Sequence, residues 1–233
     1  GGNDSGQLGN GTTTDSTTAT QVAASVVDVA LGNRQSLFLK SDGTLWGMGD
    51  MNGSGTPVST PVQIAANVKA MAAGAYHSLI LKQDGTLWTL GYNSAGQLGT
   101  GDTTDRTTPV QIATGVKAVT AGYFFSAFLK TDGTLWSMGS NGGGQLGTGD
   151  TASRPSLYQL ASNVVTLSAS ENYLLFAKAD SSLWATGYNA LGQFGNGNTA
   201  STTVPVQVAT GVILLPAVPD GLTAAPSVSF DRV

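Results

Sequence analysis

Short apolar runs alternate with clusters of Gly, Asp, Thr and Ser along most of the chain. In one stretch, VKAVTAG (116–122) and SAFLK (126–130) are apolar runs of strand length, and TLWSMG (134–139) follows after Asp132-Gly133. An Asp-Gly dipeptide between two such runs predicts a two-residue β-hairpin, whose turn positions both need φ > 0. TPVQIA-type segments supply a further strand, giving about four strands per unit. The composition is poor in helix formers and rich in turn formers. The reading is all-β.

The unit repeats. Trp46, Trp88, Trp136 and Trp184 stand in LKSDGTLWGMGDMN, LKQDGTLWTLGYNS, LKTDGTLWSMGSNG and AKADSSLWATGYNA, which are one segment written four times. GQLG at 6, 96 and 144 becomes GQFG at 192, and PVQIA or PVQVA recurs at 61, 109 and 205. Gly43, Gly85 and Gly133 occupy the hairpin position. The fourth hairpin has Asp180-Ser181 and is expected to be strained or looser. Between Gly49 and Pro61 the first unit is shorter and lacks GQLG, so one inter-unit loop is short. Four short antiparallel strands repeating every 40 to 50 residues predict β-propeller blades, which bury their faces by stacking around an axis. The expected organisation is a partial blade at 1–22, repeats starting near 23, 65, 113 and 161, and a partial blade at 203–215. Residues 216–233 would then be a linker, or the start of a fibronectin type III-like domain suggested by VPDGLTA.

Composition agrees with this and narrows function. The chain has 233 residues, 32 glycines, a single glutamate (Glu171) and no cysteine. A net charge of −4 with scattered Lys and Arg argues against a nucleic-acid partner, and no apolar run has the length of a membrane span. GSNGGGQLGTG at 139–149 mimics a phosphate loop, but no helix follows it and no Lys follows its last glycine, so these glycines are read as inter-blade turns. The only histidine, His77, shares its column with Gln35, Phe125 and Tyr173, which suits packing or surface exposure better than proton transfer. No nucleophile, metal-ligand cluster or catalytic triad can be assembled. The chain is therefore read as non-enzymatic, with no cofactor and no metal.

The repeat resembles that of the regulator of chromosome condensation family, most clearly in AAGAYHSLILKQDGTLWTLGYNSAGQLGTGDTTDRTTPVQIA. The likeness runs from residue 1 to about 212, and it implies blades belonging to a seven-bladed ring. In that family, guanine-nucleotide exchange on a small GTPase is one activity. The four Trp residues all fill the LW position, so the light absorption of the family's ultraviolet receptors is not expected.

What varies between repeats points to function. After the AG or LG step stand Asn33-Arg34, Ala75-Tyr76, Tyr123-Phe124 and Glu171-Asn172; after the third strand stand Asp50-Met51, Tyr92-Asn93, Ser140-Asn141 and Tyr188-Asn189. Equivalent loops of successive blades gather on one face of a ring. Arg34, Tyr76, His77, Tyr123, Phe124, Asn172, Met51, Tyr92 and Tyr188 are the candidate binding residues, with aromatics as anchors for a protein or carbohydrate ligand. The sequence is thus read as an interaction module of a larger extracellular or cell-surface protein of bacterial type. The alternatives are a building block that self-assembles as a homo-oligomer through open blade edges, and an exchange factor.

Overall fold

A computed structural model describes residues 1–212. It contains sixteen strands in four sheets. The first blade holds β1 (Val26–Leu31), β2 (Gln35–Lys40), β3 (Leu45–Gly49) and β4 (Val62–Ala65). The second holds β5 (Val68–Ala73), β6 (His77–Lys82), β7 (Leu87–Gly91) and β8 (Arg106–Ala113). The third holds β9 (Val116–Ala121), β10 (Phe125–Lys130), β11 (Leu135–Gly139) and β12 (Arg154–Ala161). The fourth holds β13 (Val164–Ala169), β14 (Tyr173–Lys178), β15 (Leu183–Gly187) and β16 (Thr202–Ala209). Every sheet is an antiparallel meander in sequence order. Successive blades touch mainly through their first two strands and far less through their fourth, so β1, β5, β9 and β13 are innermost.

Two expected boundaries change. β16 is the fourth strand of the fourth sheet, paired with β15 through Leu183↔Ala209 and Trp184↔Gln207, and is not part of a further blade. Residues 1–22 form no strand; the Gly6–Gly9 turn lies on the first blade, where Ser36 Oγ donates to the Gln7 carbonyl at 2.8 Å. The suggested linker or fibronectin-like segment at 216–233 lies outside the described residues.

The strand alternation explains the core. In β2, Leu37 and Leu39 face the second blade and meet Val68, Met71 and Ile80 there. Leu79 and Leu81 meet Phe128 of the third blade in the same way, and Ala127 and Leu129 meet Phe176 of the fourth. A blade is one sheet thick, so each apolar face needs its neighbour.

The repeated DGTLW segment forms a turn different from the one expected. The N–H of Gly43 donates to the Lys40 carbonyl and that of Lys40 to the Thr44 carbonyl, enclosing a three-residue loop in which Gly43 (φ 78°) has the left-handed conformation. This is a turn followed by a glycine bulge, and only one position needs positive φ. Asp42 Oδ1 accepts from the Thr44 N–H (2.9 Å) and hydroxyl (2.6 Å), and Thr44 Oγ1 accepts from Trp46 Nε1 at 2.9 Å. Lys40 Nζ lies 4.5 Å from the Trp46 ring, and Phe38 stacks on it. The fourth hairpin keeps this design with Ser182 in place of Thr: Asp180 accepts from Ser182, and Ser182 from Trp184 Nε1. It is not looser, since Phe176 pairs with Trp184 as Phe128 does with Trp136. Its strain is local to Ser181, a non-glycine residue at φ 64°.

The glycine-rich segments are clasps between blades. Asn93 organises the one at 93–105: its Oδ1 accepts from the Leu98 N–H (2.9 Å), and its Nδ2 donates to the carbonyls of Asp102 (2.9 Å) and Thr104 (3.1 Å). The clasp then lies on the next blade, where the Gly101 N–H donates to the Pro155 carbonyl at 2.9 Å. Gly96 sits against the Pro155 backbone, with no room for a Cβ. Asn141 repeats the arrangement, and the Gly149 N–H donates to the Thr203 carbonyl at 2.8 Å. The loop that resembled a phosphate cradle therefore spends the N–H groups of Gly143, Gly144, Leu146 and Gly147 within itself, and that of Gly149 on the neighbouring strand.

Candidate functional site

One set of loops carries an aromatic cluster, and the blade-to-blade backbone ladder beneath it sets its spacing. The Asn33 N–H donates to the Ala75 carbonyl, Ala75 to Tyr123 and Tyr123 to Glu171, at 3.2, 3.0 and 3.0 Å. Each bond joins the same loop of consecutive blades, so side chains one residue along are held side by side. Tyr76 and Phe124 stack with centroids 6.3 Å apart, Tyr92 packs on both at 6.3 and 5.9 Å, and Tyr123 meets Phe124 edge-on at 4.6 Å. Asn33 Nδ2 bridges the hydroxyls of Tyr76 (3.2 Å) and Tyr123 (3.1 Å). Tyr123 is 37% exposed, while Tyr76, Tyr92 and Phe124 are half-buried, so the cluster is a braced surface and not a core. Partial burial, with Tyr76 and Glu171 beside it, raises the Tyr123 pKa above its ordinary value, against the hydrogen bond from Asn33 and the charge of Arg34. The phenol is thus a neutral donor at neutral pH.

The other candidate residues divide around this cluster. Arg34 is exposed and pairs with Asp4 at 3.6 Å, a contact worth little in water. Asn33, its neighbour in the variable pair, joins the aromatics instead. Met51 folds over Gly47 of its own blade, and its backbone borders Gly91. Asn172 and Tyr188 are exposed on the fourth blade and take no part in the ring contacts of the cluster.

His77 is not a surface residue. It lies fully buried beneath the cluster, with Nε2 2.9 Å from Ser126 Oγ. The Ser126 hydroxyl donates to the Gln97 carbonyl at 2.8 Å, so Nε2 carries the ring proton and Nδ1 is bare. Nδ1 has no hydrogen-bond partner. Burial lowers the His77 pKa from 6.5 to about 4, against a smaller opposing contribution from the Phe125 backbone. Gly74 leaves room for this ring, and Gly122 does the same for Phe125, the equivalent residue of the third blade. In the first blade the column holds Gln35, whose Nε2 donates to the carbonyls of Gly74 (3.0 Å) and His77 (2.9 Å). The column closes gaps between blades with whichever side chain fits.

No group of three or more His, Cys, Asp or Glu side chains that could hold a metal ion occurs among the described residues. Asp102 and Asp105 share one loop but work within it: Asp102 pairs with Arg106 at 2.6 Å, and Asp105 Oδ1 accepts the Asn93 N–H at 2.7 Å.

Four-stranded meanders packed through their inner strands around a common axis define a β-propeller repeat protein. The blades are of one known kind. The pattern of the regulator of chromosome condensation (RCC1) repeat matches residues 84–129 and 132–177, and a second pattern of that repeat matches 68–97 and 116–145, so the chain carries RCC1 repeats. No curated protein matches it in sequence. Among solved structures, yeast RCC1 (Prp20) bound to Kap60 is similar with a TM-score of 0.69 at 21% identity, over 80% of this chain and 49% of that one. Prp20p from Saccharomyces cerevisiae, described with its binding properties to Gsp1p and histones, gives 0.69 at 21% over 80% and 51%. Human WBSCR16 gives 0.68 at 23% over 80% and 55%. The chain therefore spans about half the length of these structures, and at such identities the likeness is one of fold.

Proposed function

We propose that this segment is a non-enzymatic interaction module that binds a protein partner through the face built by Tyr76, Tyr92, Tyr123, Phe124 and Asn33. The propeller fold supports a protein-interaction role in general, and yeast RCC1 (Prp20), of the same fold, binds Kap60. The observation that carries the specific site is the braced cluster itself. Four aromatic rings from two adjacent blades are held by a backbone ladder and an asparagine bridge, and they are partly exposed. Such rings lose little side-chain entropy on binding and offer both apolar area and hydroxyl donors, which is the usual make-up of a binding hot spot. A carbohydrate stacked on the same rings is the other ligand this chemistry accepts. Net charge of −4 favours either over nucleic acid. A place within a larger secreted or cell-surface protein is our reading of the cysteine-free composition, rich in Gly, Thr and Ser.

The test is binding to peptide and glycan arrays by the chain and by its Tyr76→Ala/Tyr123→Ala/Phe124→Ala variant. Loss of the captured ligands with an unchanged melting temperature supports the site, and undiminished capture refutes it. Acceleration of nucleotide release from a small GTPase would instead favour exchange activity.

A second reading has its own observation. Val29 and Leu31 of β1 are exposed, Leu31 by 61%, on the side of the first blade away from the second. At the other end the turn at Leu191–Gly197 has Leu191 72% exposed and glycines that meet nothing. Further blades, from the same polypeptide or from another copy, would cover both. Concentration-dependent assembly in sedimentation would mark the latter.

A further inference from the structure

The junction between the first and second blades is built differently from the others. At two places a clasp glycine donates its N–H to a fourth-strand carbonyl, Gly101 to Pro155 and Gly149 to Thr203, and Gly11 donates likewise to Ser59, three residues before β4. The register places Thr107 at the same position on β8, since Gly91 pairs with Arg106 as Gly139 pairs with Arg154. No clasp reaches it, because the organising asparagine of the first blade is replaced by Met51 and the loop is six residues shorter. Gly47 likewise replaces Thr89 and Ser137, whose hydroxyls hold the clasp through the carbonyls of Leu98 and Leu146. Met51 covers Gly47, and a groove of about 260 Å³ is left, lined by Met51, Ser54, Val58, Leu90, Arg106 and Thr107. That volume equals about nine waters at ~30 Å³ each, enough for one leucine-sized side chain and part of its turn.

We propose that this groove is a second binding site, taking a glycine turn from a partner polypeptide that inserts one leucine-sized side chain beside Leu90 and donates a backbone N–H to the Thr107 carbonyl. The occupant's chemistry is read from the neighbouring junctions of the same molecule, where Leu98 and Leu146 are fully buried on such turns and the glycines rest against the next blade's fourth strand. The site does not depend on the aromatic face, though Tyr92 packs beside Gly53 at its edge.

The probe is a synthetic peptide with the sequence of residues 93–105, carrying a photoactivatable leucine at the position of Leu98, crosslinked to the full chain and mapped by mass spectrometry. Labelling is expected on residues 51–58 and 106–107. Thr107→Trp, at an exposed rim position, should cut it at least tenfold without moving the melting temperature. Should that variant fail to fold, Ser54→Trp on the opposite rim serves the same purpose. A peptide with Asp at the leucine position should compete at least tenfold more weakly. The aromatic-face variant Tyr76→Ala/Tyr123→Ala/Phe124→Ala should label as the parent does. Labelling elsewhere, labelling indifferent to both rim tryptophans, or equal competition by the Asp peptide would overturn the proposal.

Discussion

Mild acid should destabilise this propeller through His77. The imidazole is neutral, fully buried, and donates its one proton to Ser126, so a second proton would place a charge where Nδ1 has no acceptor. In the unfolded chain it titrates near 6.5, whereas in the folded protein the value falls to about 4. The folded value lies below the unfolded one, so between these limits the unfolded state binds more protons and stability falls as pH falls. The full loss is about 3 kcal/mol by pH 4, and about 2 kcal/mol of it is present at pH 5. The assay is urea denaturation followed by tryptophan fluorescence at pH 7.5 and pH 5, for the parent and for His77→Gln and His77→Phe. These replacements are the residues that the first and third blades use in the same column. Both should flatten the pH dependence by about 2 kcal/mol, whatever they do to stability at pH 7.5. An equal fall in the parent and both variants would refute the assignment.

Other consequences follow from the hairpins and clasps. Asp42, Asp84, Asp132 and Asp180 have lowered pKa values, chiefly through the hydroxyl of the residue two positions on, so their contribution is present above the ordinary carboxylate value and lost as pH falls below it through the lowered ones. Acid unfolding of the His77 variants should therefore begin below pH 4, separate from the His77 phase. Ser181→Gly relieves a left-handed residue and should raise stability by about 0.5–1 kcal/mol in denaturant melts; a loss would contradict the strain assigned there. Asn141→Ala removes the bonds that shape a clasp on the fourth blade and should cost about 2–4 kcal/mol, whereas a cost under 0.5 kcal/mol would show that the turn stands without it. Thr134→Val breaks the relay between Asp132 and Trp136 and should lower stability by about 1–2 kcal/mol, with a shift in Trp136 emission.

Strand order, repeat period and blade class were legible in the chain because they arise from local signals. Alternating apolar runs, the DGTLW hairpin and GQLG glycines each act within a dozen residues, and the two motifs recur three times with a fourth, altered copy. Local signals also explain the errors. Asp-Gly does not distinguish a two-residue turn from a turn with a glycine bulge, and PVQVA at 205 does not reveal which blade it closes, since that is decided by pairing with β15. The candidate site was half visible: the variable loop columns named Tyr76, Tyr92, Tyr123 and Phe124, because equivalent loops of stacked repeats must share a face. That Asn33 joins them while Tyr188 does not depends on which loops adjoin across the blades. His77 could not be assigned from its column, for burial there depends on Gly74 and on Ser126 of the following blade. The groove beside Thr107 was the least legible. A missing clasp is a gap in one repeat, but its consequence lies on another, and only the packing of one blade against the next turns six absent residues into a cavity.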